Sequence, residues 1–360
     1  MPTIAAVIEA PSTGPTRPPL TRRRRLLFAL LPLAALLLLG EIVTRLARDP
    51  LYFGSWRHTR LDLVRRNYPA EPHALLGYAP RANYRSRDNH WHTVVSIDGD
   101  GMRRNGDGPT PAGEKFVATV GDSFTFGDQV DDDASWPAQL EQVLARPVKN
   151  GGVFGYSLAQ AVLRAESMLE RFPVSEVVVS FIPDDLTRCE YQKRYTPVPW
   201  FDLQGDGLVL HPPPAPGTEI VDSSKWWKDA LGYSALLDAV LANTARAWWF
   251  EDEKQVSVPH LQGRGTDVGK RLITRIDAAC RARGVHLLLV LQGDVARADA
   301  TEVMQHAAAL GVQTLDLIAD YLAAQAQDPS VHDRWFAGHM TRAGNRWVAE
   351  RIAAALRAPR

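Results

Sequence analysis

An α/β fold, with a mostly parallel sheet flanked by helices, is what this 360-residue sequence predicts, on three observations. From Glu114 onward, strand-like and helix-like segments alternate, the pattern of a sheet covered on both faces. The hydrophobic share is 45 %, enough for a large core, and the formal net charge is zero. The stretch Phe116 to Val130, F-V-A-T-V-G-D-S-F-T-F-G-D-Q-V, places a β-branched and apolar run directly before Gly121-Asp122-Ser123. In an open α/β sheet, ligands sit beyond the carboxyl ends of strands, so a hydroxyl there is placed as a nucleophile would be.

Taken in order, residues 1–21 are rich in Pro and Thr and read as a disordered cytoplasmic tail. Residues 22–46 read as a transmembrane anchor. Arg22 to Arg25 abut the apolar run Leu26 to Gly40, which Ile42 and Val43 extend, and flanking arginines can snorkel where it falls short of about 20 residues. A cleaved signal peptide is the rival reading, and no clear small-x-small site follows Leu39. The four arginines put the N-terminus in the cytoplasm and the rest of the chain on the periplasmic side of the inner membrane. Membrane lipid is therefore an expected partner. Nucleic acid is not, because no basic stripe follows the N-terminal run.

Residues 47–112 are turn-rich and predict a small β-rich collar. Gly77-Tyr78, Asn83-Tyr84-Arg85 and Val94 to Ile97 supply its short strands, and Gly99-Asp100-Gly101 a turn. His90 and His92 would share a face of a strand, but no third metal ligand lies near them, so they read as surface residues.

The main domain spans residues 113–360. Expected strands are Phe116 to Gly121, Val148 to Gly152, Glu176 to Phe181, Val285 to Leu291 and Val312 to Leu315. Expected helices are Trp136 to Leu144, Leu158 to Arg171, Ala230 to Trp249, Thr266 to Arg283, Ala300 to Leu310 and Ala343 to Leu356. Between about 190 and 260 the rhythm lapses, with Pro197-Val198-Pro199-Trp200, Pro212 to Pro214, a turn at Asp206-Gly207 and four further tryptophans, Trp226, Trp227, Trp248 and Trp249. This reads as an inserted lid or substrate-contacting segment. Cys189 and Cys280 exclude a disulfide framework and lack metal-ligand spacing.

Three further blocks give Ser123 a chemical context: Asn150-Gly151-Gly152-Val153-Phe154-Gly155, Phe181-Ile182-Pro183-Asp184-Asp185, and Gly338-His339-Met340-Thr341-Arg342. With Gly121-Asp122-Ser123 they resemble the SGNH (GDSL-like) hydrolase superfamily, specifically its bacterial membrane-anchored members, over roughly Gly77 to the C-terminus. The resemblance implies a three-layer flavodoxin-like domain and a serine esterase with Ser123 as nucleophile and His339 as base. It assigns oxyanion donors to Ser123, Gly155 and Asp184. It implies acyl groups, acetyl among them, on an envelope glycan or lipid as substrate, and the chemistry requires no cofactor or metal. Two positions depart from the family pattern. Asp184 stands where an Asn donor is usual, and Phe336 and Ala337 stand where an acid usually orients the histidine. Asp333 is then the nearest carboxylate in sequence, with Asp316 a more distant one. The alternatives are an acyltransferase using the same Ser123 and His339, or a catalytically degenerate envelope binding or assembly factor.

Overall fold

Five apolar runs form one sheet, described here from a computed structural model covering residues 21–59, 67–108, 113–194, 196–215, 226–246, 248–250 and 255–358. The strands are β1 (Phe116–Val120), β2 (Val148–Asn150), β3 (Val174–Phe181), β4 (His286–Leu291) and β5 (Gln313–Asp316), in the order β5-β4-β3-β1-β2. Every pairing is parallel, with Val120 opposite Val179 and Leu289 opposite the same Val179 from the other side. The expected tail, residues 1–21, lies outside the described residues apart from Thr21.

The helices run in chain order from α1 (Arg22–Arg48) to α2 (Ser123–Phe126) and α3 (Trp136–Leu144) after β1, and α4 (Leu158–Arg171) after β2. Next are α5 (Pro183–Arg188) after β3, α6 (Trp226–Gly232) and α7 (Ala235–Thr244). The chain continues through α8 (Gly265–Arg281), α9 (Ala298–Ala309), α10 (Leu317–Gln327), α11 (Val331–Trp335) and α12 (Arg342–Arg357). Alternation along the strands sends Ala118, Val120, Val177 and Leu289 to one face, against Val162 of α4, Ile273 of α8 and Val303 of α9. Val117, Val178, Leu288 and Val290 point the other way, onto Trp136 and Leu140 of α3 and Val348 and Ile352 of α12. Each such buried Val, Leu or Ile side chain contributes about 1.5–3 kcal/mol by leaving water.

Caps explain several boundaries. Ser157 and Gln160 form a reciprocal capping box at the start of α4, with Gln160 N–H donating to Ser157 Oγ at 3.3 Å and Ser157 N–H to Gln160 Oε1 at 3.1 Å. The continuous helix expected over Ala230 to Trp249 is broken. α6 ends at Gly232, and Ser234 starts α7 by accepting from Leu237 N–H at 3.1 Å. Helices α10 and α11 are not predicted by the sequence periodicity. Asp316 starts α10 by accepting from the N–H groups of Ile318 and Ala319, both at 3.0 Å.

The segment before β1 contains the expected hairpin pairings, Ala70–His73 with Gly77–Pro80 and Arg85–Ser86 with Val95–Ser96, besides a helical turn at Trp56–Thr59. It packs into the main body rather than beside it. Tyr78, Val95 and Ile97 share the core with Ala118 and Val120, and Arg103 N–H donates to Asn150 O on β2 at 2.9 Å. His90 is exposed and stacks on Tyr68, with ring centroids 4.3 Å apart. Cys189 and Cys280 are buried free thiols.

α1 is 27 residues long, and the apolar window within it has no buried part. By length and composition it is able to cross a bilayer.

Candidate active site

At the end of β1 the chain turns through Gly121-Asp122-Ser123 into α2. A Cβ on Gly121 would overlap Thr125 Oγ1 and the Ser180 carbonyl, so the close approach of β1 to β3 needs glycine. Asp122 caps α2, accepting from Phe124 N–H at 3.0 Å, and this sets Ser123 at the first helical position. The chain leaves β1 for β2 on one side and returns to β3 on the other, so Ser123 lies at the switch point of the sheet.

His339 arrives from a distant part of the sequence, on a hairpin pairing Phe336 with Met340 and Ala337 with His339. Asn345 of α12 locks that hairpin to α3. Its amide donates to the Met340 carbonyl at 3.1 Å, and its Oδ1 accepts from Trp136 N–H at 2.8 Å. The result is a Ser123 Oγ to His339 Nε2 contact of 2.8 Å. The two residues singled out from sequence as nucleophile and base are thus hydrogen-bonded.

Gln129 engages the other ring nitrogen. Its Oε1 accepts from the backbone N–H of His339 at 3.2 Å, which turns its amide nitrogen toward Nδ1 at 3.1 Å. An amide NH2 only donates, so Nδ1 is the acceptor and the neutral ring carries its proton on Nε2. In that tautomer the 2.8 Å contact runs from Nε2–H to Ser123 Oγ, opposite to the direction a general base requires. The loop carrying Gln129 is held by the buried Arg103 guanidinium. It donates to the carbonyls of Phe126 and Val130, both at 2.7 Å, and pairs with Asp132 at 3.1 Å.

Asp128, next to Gln129, is buried, and its Oδ2 lies 3.7 Å from His339 Nε2. Burial, reinforced by the negative charge of Asp122, pushes its carboxyl up to about 8 although Arg103 opposes this. His339 moves down from the ordinary histidine value, because burial and, to a lesser extent, Arg188 disfavour the imidazolium more than Asp122 favours it. Near neutral pH the site therefore pairs a neutral histidine with a largely protonated carboxyl.

The third block behaves differently from expectation. Asp184 points outward, is 67 % exposed in its side chain and pairs with Arg297 at 3.0 Å, so it is not an oxyanion donor. On the short helix α5 its neighbour Asp185 and, one turn on, Arg188 face the site instead. Arg188 Nη1 contacts Asp185, donates to the Tyr156 carbonyl at 3.0 Å and pairs with Asp122 Oδ2 at 3.3 Å. Burial opposes the charge on Arg188, but Asp185 and Asp122 outweigh it and hold the guanidinium firmly protonated.

Gly155, with φ +73, lines the cavity beside Ser123 in a left-handed conformation that favours glycine. Its carbonyl accepts from Arg194 at 2.8 Å, and the preceding Phe154 carbonyl accepts from Tyr78 Oη at 2.7 Å, which fixes the peptide planes there. Neither proposed orienting acid reaches His339. Asp333 is exposed on α11, Asp316 is engaged as the cap of α10, and the Nδ1 side is filled by Gln129. Among the described residues of the inserted segment, only Arg194 lines the cavity, while α7 packs against α1.

The cavity itself measures about 160 Å³. Ser123, Asp128, Gly155, Arg188, Arg194 and His339 line it with Tyr68, Tyr78 and Phe154. Sequence reasoning missed Asp128, Gln129 and Arg188. The first two stand in the same G-D-S-F-T-F-G-D-Q stretch as the serine, and Arg188 is three residues after Asp185, the spacing that shares a helix face.

No protein-family model and no curated protein matches the chain. Among solved structures it is similar to a member of the lipolytic protein G-D-S-L family from Veillonella parvula DSM 2008, at 11 % identity and a TM-score of 0.37, over 67 % of this chain and 97 % of that one. It is similar to the lipase/acylhydrolase from Enterococcus faecalis at 12 % identity and a TM-score of 0.36, over 68 % and 95 % of the two chains. A catalytic mutant of an acetylxylan esterase from Geobacillus stearothermophilus is similar at 12 % identity and a TM-score of 0.37, over 70 % and 98 %.

Proposed function

We propose that this chain is an SGNH-type serine hydrolase of short acyl esters, anchored in the inner membrane by α1 with its α/β body on the periplasmic side. The observation that carries the chemistry is the 2.8 Å contact between Ser123 Oγ and His339 Nε2 at the carboxyl end of β1. In the reactive form the ring proton resides on Nδ1, Nε2 takes the Ser123 proton, and Oγ attacks the ester carbonyl to form an acyl-enzyme. The same imidazolium then protonates the leaving alcohol, and water repeats the cycle. Backbone N–H groups of Ser123 and Gly155 are assigned as oxyanion donors, with the fixed charge of Arg188 in the place the family pattern gives to Asp184. A cavity of about 160 Å³ suits an acetyl or similarly short acyl group, and an envelope glycan or lipid is the substrate class that fits an enzyme held at the membrane.

Labelling by an active-site-directed phosphonate tests the assignment. Native protein should be modified at Ser123, and Ser123→Ala should lose both labelling and hydrolysis of p-nitrophenyl acetate. Ester turnover retained above about a tenth in Ser123→Ala contradicts it, since loss of a serine nucleophile costs up to about a million-fold. A reporter fused after Arg360 tests the topology, and activity of a cytoplasm-only reporter there contradicts it. One observation favours the second reading, a binding factor that has lost turnover: Gln129 holds His339 in the tautomer that cannot accept the Ser123 proton. Absence of phosphonate labelling, together with no measurable hydrolysis or transfer to added glycan, supports that reading.

A further inference from the structure

The apolar run of α1 ends at Gly40, and the following two turns are fastened to α7 and the turn that precedes it. Glu41 accepts from the backbone N–H groups of Ala235 and Leu236, each at 2.9 Å, and from Ser234 Oγ at 2.7 Å, so a carboxylate of the anchor helix caps α7. Arg45 donates to the Tyr233 carbonyl, and Arg48 pairs at 2.7 Å with the wholly buried Asp238. Gly40 permits the approach, since a Cβ there would stand 3.0 Å from Leu236 Cδ2. Leu26 to Val43 rises about 27 Å at 1.5 Å per residue, close to the thickness of about 30 Å of hydrocarbon. The beginning of α7 is therefore held at the level where α1 leaves the bilayer.

That region exposes large aromatic side chains. Trp226 is 69 % exposed, Tyr233 54 %, Trp248 47 % and Trp227 40 %. Trp248 belongs to the same unit, because Trp249 Nε1 donates to Asp238 Oδ1 at 2.8 Å and the Trp249 carbonyl accepts from Arg57. Tryptophan and tyrosine gather at the boundary of bilayer and water, where an apolar ring meets lipid and its polar atom meets the headgroups. We propose that α6, α7 and the turn at Trp248 form a lipid-docking surface, inserting Trp226, Trp227 and Trp248 at the headgroup level around the exit of α1. The occupant is lipid because the anchor itself brings this surface to the bilayer. The inference rests on the membrane-anchor reading above. Its consequence is that α1 and this surface together fix the orientation of the catalytic body, where a simple tether would leave it free to tumble.

The test uses the full chain reconstituted into phosphatidylcholine and phosphatidylglycerol vesicles whose acyl chains are brominated near the headgroup. Three of the ten tryptophans would be quenched, so emission should fall by up to about three-tenths. The triple variant Trp226→Ser, Trp227→Ser, Trp248→Ser should lose that quenchable part while remaining in the membrane through alkaline carbonate extraction. As a second measurement, Trp226→Cys carrying a polarity-sensitive fluorophore should shift to the blue on reconstitution. Carbonate-resistant native protein with no quenching and no blue shift overturns the docking surface alone and leaves these aromatics to water or to a protein partner. Equal quenching of native and triple variant overturns it as well. Extraction of the native chain by carbonate overturns the anchor, and the surface with it.

Discussion

Replacing Gln129 by Glu should raise turnover, because the change acts on a single proton. In the native chain the Gln129 amide nitrogen faces His339 Nδ1 at 3.1 Å, and the base-competent tautomer would set an N–H against it. That tautomer forfeits one hydrogen bond, net about 1 kcal/mol, and water can meet the N–H at this exposed contact. About 1 kcal/mol corresponds to a competent fraction of roughly one in six. In Gln129→Glu one carboxylate oxygen keeps the His339 N–H that Oε1 now accepts at 3.2 Å, and the other accepts Nδ1–H. The ring then presents bare Nε2 to Ser123. Turnover of p-nitrophenyl acetate should rise about fivefold from the tautomer alone, and by far more if the carboxylate also stabilises the imidazolium, an arrangement whose loss elsewhere costs about ten-thousand-fold. Nitrogen chemical shifts of the His339 ring read the tautomer directly and should report Nε2–H in the native chain and Nδ1–H in the variant. A native ring protonated on Nδ1, or a Gln129→Glu enzyme slower than native with that shift in place, refutes the reasoning.

Three other outcomes follow from the same geometry. Asp128 is raised in the folded chain to about 8 from an ordinary carboxylate value, so the fold binds a proton that the unfolded chain releases and native stability is lost as pH rises from about 4 to about 8. Asp128→Asn should flatten that dependence and stabilise the protein at pH 7 by up to about 4 kcal/mol in urea unfolding, and a variant less stable than native at pH 7 contradicts it. Because His339 is lowered, its neutral form persists below pH 6.5, so the acid limb of kcat/KM should lie below that value and move upward in Gln129→Glu; an acid limb above pH 6.5 in the native enzyme counts against the shift. Arg188→Lys keeps the charge beside Asp122 and Asp185 but loses the guanidinium fork, and should lower kcat by roughly ten- to a hundredfold with little change in KM, whereas an unchanged kcat removes Arg188 from the oxyanion site.

The sequence by itself determined the features that depend on neighbours in the chain. The run Phe116 to Val120 is a buried central strand because every residue in it is apolar or β-branched, and Gly121-Asp122-Ser123 ends it because glycine permits the approach to Ser180 and aspartate caps the next helix. The apolar length of Leu26 to Val43 likewise determined that α1 is able to span a bilayer. Only the tertiary structure decided which polar groups reach Ser123. The rotation of the six-residue helix α5 about its axis turns Asp184 to solvent and brings Asp185 and Arg188 inward, and that rotation is set by packing against other elements rather than by the residues of α5. The partner of His339 Nδ1 depends on Arg103, which fixes the Phe126 to Val130 loop, and on Asn345, which fixes the hairpin. These contacts span sequence separations of up to 210 residues. A search for a carboxylate near His339 in the chain could not find Gln129, because hydrogen-bond partners are selected by distance in space, and here the fold brings an amide to the position where an acid was sought.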